Sequence, residues 1–124
     1  MDSIGESVTY RKTIFIDIDG TILKHHQNLN KMTSDEPELI EGTIEKFLWW
    51  RKKEYYIVIT TARVEGLRQV TQKQLTDVGL FYDQMIMGLP NGPRVLINDK
   101  KPEGIVSATA YCIDRDGGIR DIDE

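Results

Sequence analysis

A chain of 124 residues has room for one hydrophobic core and not a second, and its 40% hydrophobic and 29% charged content is the balance of a globular domain rather than a disordered or membrane chain. A formal net charge of -4 with a pI near 5.2 gives no general attraction for nucleic acid or anionic lipid. Its single cysteine, Cys112, excludes an intrachain disulfide, and no basic-apolar leader or long apolar run marks an export signal or membrane span, so a cytoplasmic location is expected.

Two apolar runs of β type, 13–18 and 55–61, are continuous rather than alternating, which suits strands covered on both faces of a parallel sheet. Between them, 41–53 reads as a helix with apolar residues at 44, 47 and 48 and a basic last turn that complements the dipole. Trp49 and Trp50 cannot both face the core from adjacent helical positions. A second helix is predicted over 64–78, closed by Gly79, and a short strand over 83–87 follows. After the turn-rich 88–93, a further strand is expected at 94–98, ending in Asp99, and an edge strand at 107–113. The polar stretch 24–37 shows no clear element beyond a hairpin continuing from 21–23. The alternation predicts a Rossmann-like three-layer α/β domain with a mainly parallel sheet, one unit over 1–124 with its core at about 12–113 and a tail at 114–124.

In open α/β sheets the ligand site lies outside the carboxyl ends of the strands. The segment FIDIDGTIL at 15–23 puts Asp17 and Asp19 there, 55–61 ends in Thr60 and Thr61, and 94–98 leads into Asp99. Residues two apart on a strand share a face, so Asp17 and Asp19 can address one crevice. Two carboxylates that close repel each other unless a cation sits between them. Mg²⁺, held by one or two carboxylates and a substrate phosphate, suits the group, with Asp99 completing it. The plainer reading of Asp-Gly is an ordinary turn, against which stand the threonines and Asp99 at corresponding strand ends.

Asp17-Ile-Asp-Gly-Thr21 resembles the first motif of the haloacid dehalogenase (HAD) superfamily of phosphohydrolases. Thr60-Thr-Ala-Arg63 resembles its second motif and Asn98-Asp99-Lys100 its acidic fourth, the likeness running from residue 13 to about 100. The resemblance implies a small capless phosphatase in which Asp17 attacks phosphorus and forms an aspartyl phosphate, while Asp19 serves as acid and then base. It also implies Mg²⁺ on Asp17, the Asp19 carbonyl and Asp99, with Gly20, Thr21, Thr60, Thr61 and Arg63 around the phosphate. The family's third-motif cation is missing from its familiar place, where Gly88-Leu89-Pro90 stands. Candidates are Lys73, Arg94, Lys100 and Lys101. An extended 94–98 leaves Arg94 roughly 15 Å from the site, so Lys100 is favoured as the catalytic cation.

Asp114-Arg-Asp-Gly117 repeats the Asp-x-Asp-Gly pattern, but Gly118 replaces the threonine and too little chain follows to supply further strand ends, so it reads as a solvated turn. His25 and His26 lack partners at metal-ligand spacing and read as loop residues near the crevice mouth. With no room for a cap domain, the expected site is open unless the chain forms a homo-oligomer or 24–37 acts as a small lid. By analogy the substrate is a small phosphorylated metabolite of sugar-phosphate type, nucleic acid being disfavoured by the acidic charge. The rival readings are a phosphotransferase and a non-catalytic phosphate-binding or phospho-acceptor domain of receiver type. The latter needs its acceptor on a middle strand, whereas here the acidic pair ends the first.

Overall fold

The computed structural model describes residues 11–34 and 36–124. Three parallel strands, β1 (Thr13–Ile16), β2 (Tyr56–Thr60) and β3 (Gln84–Ile86), lie in the order β1-β2-β3. A short α1 (Leu29–Ser34) and α2 (Thr43–Lys52) connect the first two, while a 3₁₀ turn at Glu65–Leu67 runs into α3 (Arg68–Asp77) before β3. Ile16 pairs with Ile59 and Ile59 with Met85, so the strands finish side by side. Asp17, Thr60 and Thr61 therefore leave the sheet at one end.

Strand alternation puts Ile16, Ile59 and Met85 on one face, where they share a buried cluster with Phe47 and Trp50 of α2 and Leu75 of α3. Phe47 anchors that cluster, its ring 5.2 Å from Trp50 and 5.8 Å edge-on from Phe81. Trp50 is fully buried while Trp49 is 43% exposed, as adjacent helical positions require. The buried stripe of α2 is Thr43, Phe47 and Trp50, and Leu48, expected inward, faces solvent. The opposite sheet face is covered only in its middle: Val58 is buried, but Phe15 and Ile86 are 56% and 41% exposed. The coverage on both faces that continuous apolar runs implied is thus complete on one.

Both long helices end the same way. At α3, Gly79 (φ +86) and Leu80 donate to the Thr76 and Leu75 carbonyls, and at α2, Glu54 (φ +61) and Tyr55 donate to those of Arg51 and Trp50. These are the paired bonds that satisfy a helix's last carbonyls through one left-handed residue. Gly79 was expected in that role, whereas Glu54 fills it with a side chain.

The strands expected at 94–98 and 107–113 do not form. Val95, Leu96 and Ile97 stand exposed, and the two limbs are tied to each other by Asn98 Nδ2 donating to the Ser107 carbonyl at 2.9 Å and Ser107 Oγ to the Asp99 carbonyl, while the second limb reaches the domain through Tyr111, whose hydroxyl donates to Glu124 Oε2 at 2.7 Å, and through Ile113 against the core. Apolar alternatives alone do not make a strand; a neighbour must accept its hydrogen bonds. By contrast, 114–124, expected as a solvated tail, packs on the domain: Ile119 is 2% exposed within the core, and Lys46 Nζ donates to the Ile122 carbonyl at 2.8 Å. The 24–37 excursion carries α1 and is closed at its base by Lys24 N to Glu38 O and Ile40 N to Ile22 O, each 2.9 Å. Among the described residues, no helix is long and apolar enough to cross a membrane.

Candidate active site

The chain turns sharply on leaving β1. The Ile18 carbonyl accepts from the backbone N–H groups of Thr21, Ile22 and Leu23, and Gly20 supplies the left-handed step at φ +87. That turn separates the environments of the two carboxylates. Asp17 stays exposed at the strand end, while the Asp19 side chain is only 16% exposed.

Asp19 is held by Arg63, the residue three beyond the end of β2. Arg63 Nε donates to Asp19 Oδ2 at 2.9 Å and Nη2 to Oδ1 at 2.8 Å, a two-pronged pair. Its remaining nitrogen, Nη1, donates to Thr71 Oγ1 at 3.0 Å and Gln74 Oε1 at 2.7 Å, both on α3. A buried guanidinium must be satisfied on every side, and here strand end, turn and helix do so together. Arg63, expected on the phosphate, is instead committed to orienting Asp19. Thr71 and Gln74, buried polar residues at i, i+3 spacing on α3, take part in the site without having been singled out in the sequence; their place amid an otherwise apolar helix face was the available signal.

The two acids interact as expected. Asp17's carboxyl is pushed above the usual carboxylate range, first by partial desolvation from the protein behind it and further by the Asp19 charge, against the opposing pull of the Ile18 N–H and of Arg94 and Arg63. Arg94 is exposed, its Nη1 donating to the Pro90 carbonyl at 3.0 Å and to the Gly92 carbonyl, and its charge is one of the weaker influences holding the Asp17 carboxyl down. Thr61 is buried at the end of β2, its Oγ1 accepting from the Arg63 N–H at 3.1 Å and its hydroxyl proton free to point elsewhere; Thr60 and Thr21 are half-buried nearby in the chain's path.

Other expected members lie apart. Asp99 is exposed and pairs locally with Lys101 at 3.3 Å, Lys100 is exposed, and Lys73 pairs with Asp77 at 2.6 Å on the outer side of α3. The loop read as a solvated turn comes back to the site instead. Asp116 donates its N–H to the Gly20 carbonyl at 2.8 Å, and its Oδ1 accepts from the His25 N–H at 2.9 Å. The Arg115 stem lies over Gly20, where a Cβ would meet its Cγ at 3.3 Å. Glycine is therefore favoured by φ, and a side chain there would also press on the Arg115 stem.

Among the described residues, no group of three or more His, Cys, Asp or Glu side chains converges on a point where a metal ion would sit. The Asp17 carboxylate and the Asp19 carbonyl still fit Mg²⁺, which takes few protein ligands and fills its remaining positions with phosphate and water.

No protein-family model matches the chain, and no curated protein matches it. Among solved structures, a chain of the Pnkp1/Rnl/Hen1 complex aligns over 72% of this chain at 21% identity with a TM-score of 0.57. D,D-heptose 1.7-bisphosphate phosphatase from B. bronchiseptica, complexed with magnesium and phosphate, aligns over 66% at 20% identity with a TM-score of 0.47. This chain spans 32% of the first and 51% of the second. The likeness to the first is one of fold, and the chain is a Rossmann-like α/β domain with a parallel sheet and, among the described residues, no separate cap domain.

Proposed function

We propose that the chain is a HAD-type phosphatase that hydrolyses a phosphomonoester through Asp17. The observation that carries this reading is the unequal treatment of two neighbouring acids: Asp19 is clamped by a buried Arg63, while Asp17, among the described residues, has no ion-pair partner and is exposed at the strand end. A nucleophile needs an accessible carboxylate on a rigid mount, and a proton shuttle needs a fixed position beside it.

Asp17 attacks phosphorus in line, forming an acyl phosphate as the bond to the leaving oxygen breaks. Asp19 lies two residues on, where it delivers a proton to that oxygen and later takes one from the water that attacks phosphorus, breaking the acyl-phosphate bond and freeing phosphate and the Asp17 carboxylate. To do so it releases one of its two bonds to Arg63, the other keeping its orientation. Thr61 offers its hydroxyl to a phosphoryl oxygen, and the Gly20–Thr21 backbone turns away beside it. Asp17 and the Asp19 carbonyl would hold Mg²⁺, which when bound would supply charge neutralisation for the transferring group. Lys100 and Arg94, both exposed, are the candidates for the missing cation. The open approach and the fold suit a small phosphorylated metabolite, with sugar phosphates the first class to try.

The test is phosphate release from sugar phosphates, nucleotides and phosphopeptides, with and without Mg²⁺, with Asp17→Asn as the control. Metal-dependent release that drops by on the order of 10³-fold or more in the variant is the expected result. Release that survives the substitution would refute the assignment, and transfer to an alcohol in place of water would make the enzyme a phosphotransferase.

A further inference from the structure

The least explained part of the molecule is the arm 94–112. It leaves the domain after a link anchored by Leu89 N to Thr61 O at 3.1 Å, and the chain rejoins the domain from Tyr111 onward, where the Tyr111 hydroxyl bonds Glu124, Ile113 packs on the core and Asp116 bonds Gly20. Along it, Val95, Leu96, Ile97 and Val106 are 81%, 55%, 87% and 75% exposed. Single exposed apolar residues are ordinary, but a run of three with an apolar return limb marks an interaction surface. The same chain carries what such a run lacks. Among the described residues β1 pairs with β2 alone, so its outer edge has unpaired backbone groups, and Phe15 beside it is uncovered.

We propose that two copies of this chain exchange their arms, residues 94–98 of each adding as a strand to the open β1 edge of the other. Three features favour a second copy over an unrelated partner. Strand and edge match in length, five residues against four, and both are present in every molecule, so a two-fold arrangement closes with no surface left over. Charge adds a smaller contribution: a parallel strand brings the exposed Lys100 to the end of β1 that holds Asp17, Lys101 being paired with Asp99 and Asp19 with Arg63. The size is right as well, because an arm of roughly twenty residues with the edge it covers approaches the about 20–30 residues a side of a stable interface. Exchange also gives Asp99 a place. In one copy it is remote from any metal group, whereas in the pair the partner's Asp99 joins Asp17. That last step rests on the proposed phosphatase; the exchange itself does not.

Two measurements test the exchange. Light scattering on the full chain is expected to give a dimer that Ile97→Asp converts to monomer with an unchanged circular dichroism spectrum, since Ile97 makes no core contact. A monomeric parent, or a dimer indifferent to Ile97→Asp, would overturn the proposal whether or not the chain is a phosphatase. Co-expression of Asp17→Asn with Asp99→Asn chains then reads the exchange by complementation. Each variant alone is expected to be inactive, and random pairing restores about a quarter of parental activity, because half the dimers are mixed and each has one intact site. No recovery alongside an active parent would show that each site is self-contained. A parent inactive on every substrate would count against the phosphatase alone, with the dimer and Ile97→Asp results still deciding the arm.

Discussion

Asp17 is where stability and activity oppose each other. Its carboxyl titrates above the ordinary value of 3.8 in the folded chain, mainly through desolvation, so between that value and the raised one the folded state binds more protons than the unfolded. Stability therefore falls as pH rises through this window and stays lowered above it. Asp17→Asn is expected to raise the melting temperature at pH 7, with the gain vanishing as pH falls below 3.8, as scanning calorimetry across pH would show. Arg63 behaves in the opposite sense: Arg63→Met leaves Asp19 without its partner in a largely buried setting and should cost about 3–5 kcal/mol in urea unfolding. Pairing it with Asp19→Asn should recover part of that loss, because the two sites are coupled.

The two helix ends make a matched experiment at the scale of elements. Gly79 and Glu54 occupy equivalent left-handed positions after α3 and α2, and a side chain there costs roughly 1–2 kcal/mol. Gly79→Ala should destabilise the chain by about 1 kcal/mol and Glu54→Gly should stabilise it by a similar amount, both read from the urea midpoint with unchanged slope. The first half of the fold was legible at this scale because each element carries its own instructions. The helix of 43–52 has a basic end, α3 a terminating glycine, and β2 an unbroken β-branched run. The later strands were not, because 94–98 has the residues of a strand but, among the described residues, pairs with no neighbouring strand.

For the molecule as a whole, 114–124 is structural. Ile119→Ala should cost about 2–5 kcal/mol, whereas a solvated tail would tolerate the change; thermal unfolding separates the two. The same segment closes over the turn at Gly20, so its loss should also loosen the site. By itself the sequence determined the α/β alternation and the adjacency of Asp17 and Asp19 at a strand end, since periodicity and local backbone demands act over a few residues. Tertiary structure alone decided that Arg63 serves Asp19, that Thr71 and Gln74 complete its shell, and that Asp116 returns to Gly20. Those are contacts between segments many residues apart, and a buried guanidinium or a carboxylate acceptor shows its partner only when the fold has placed it.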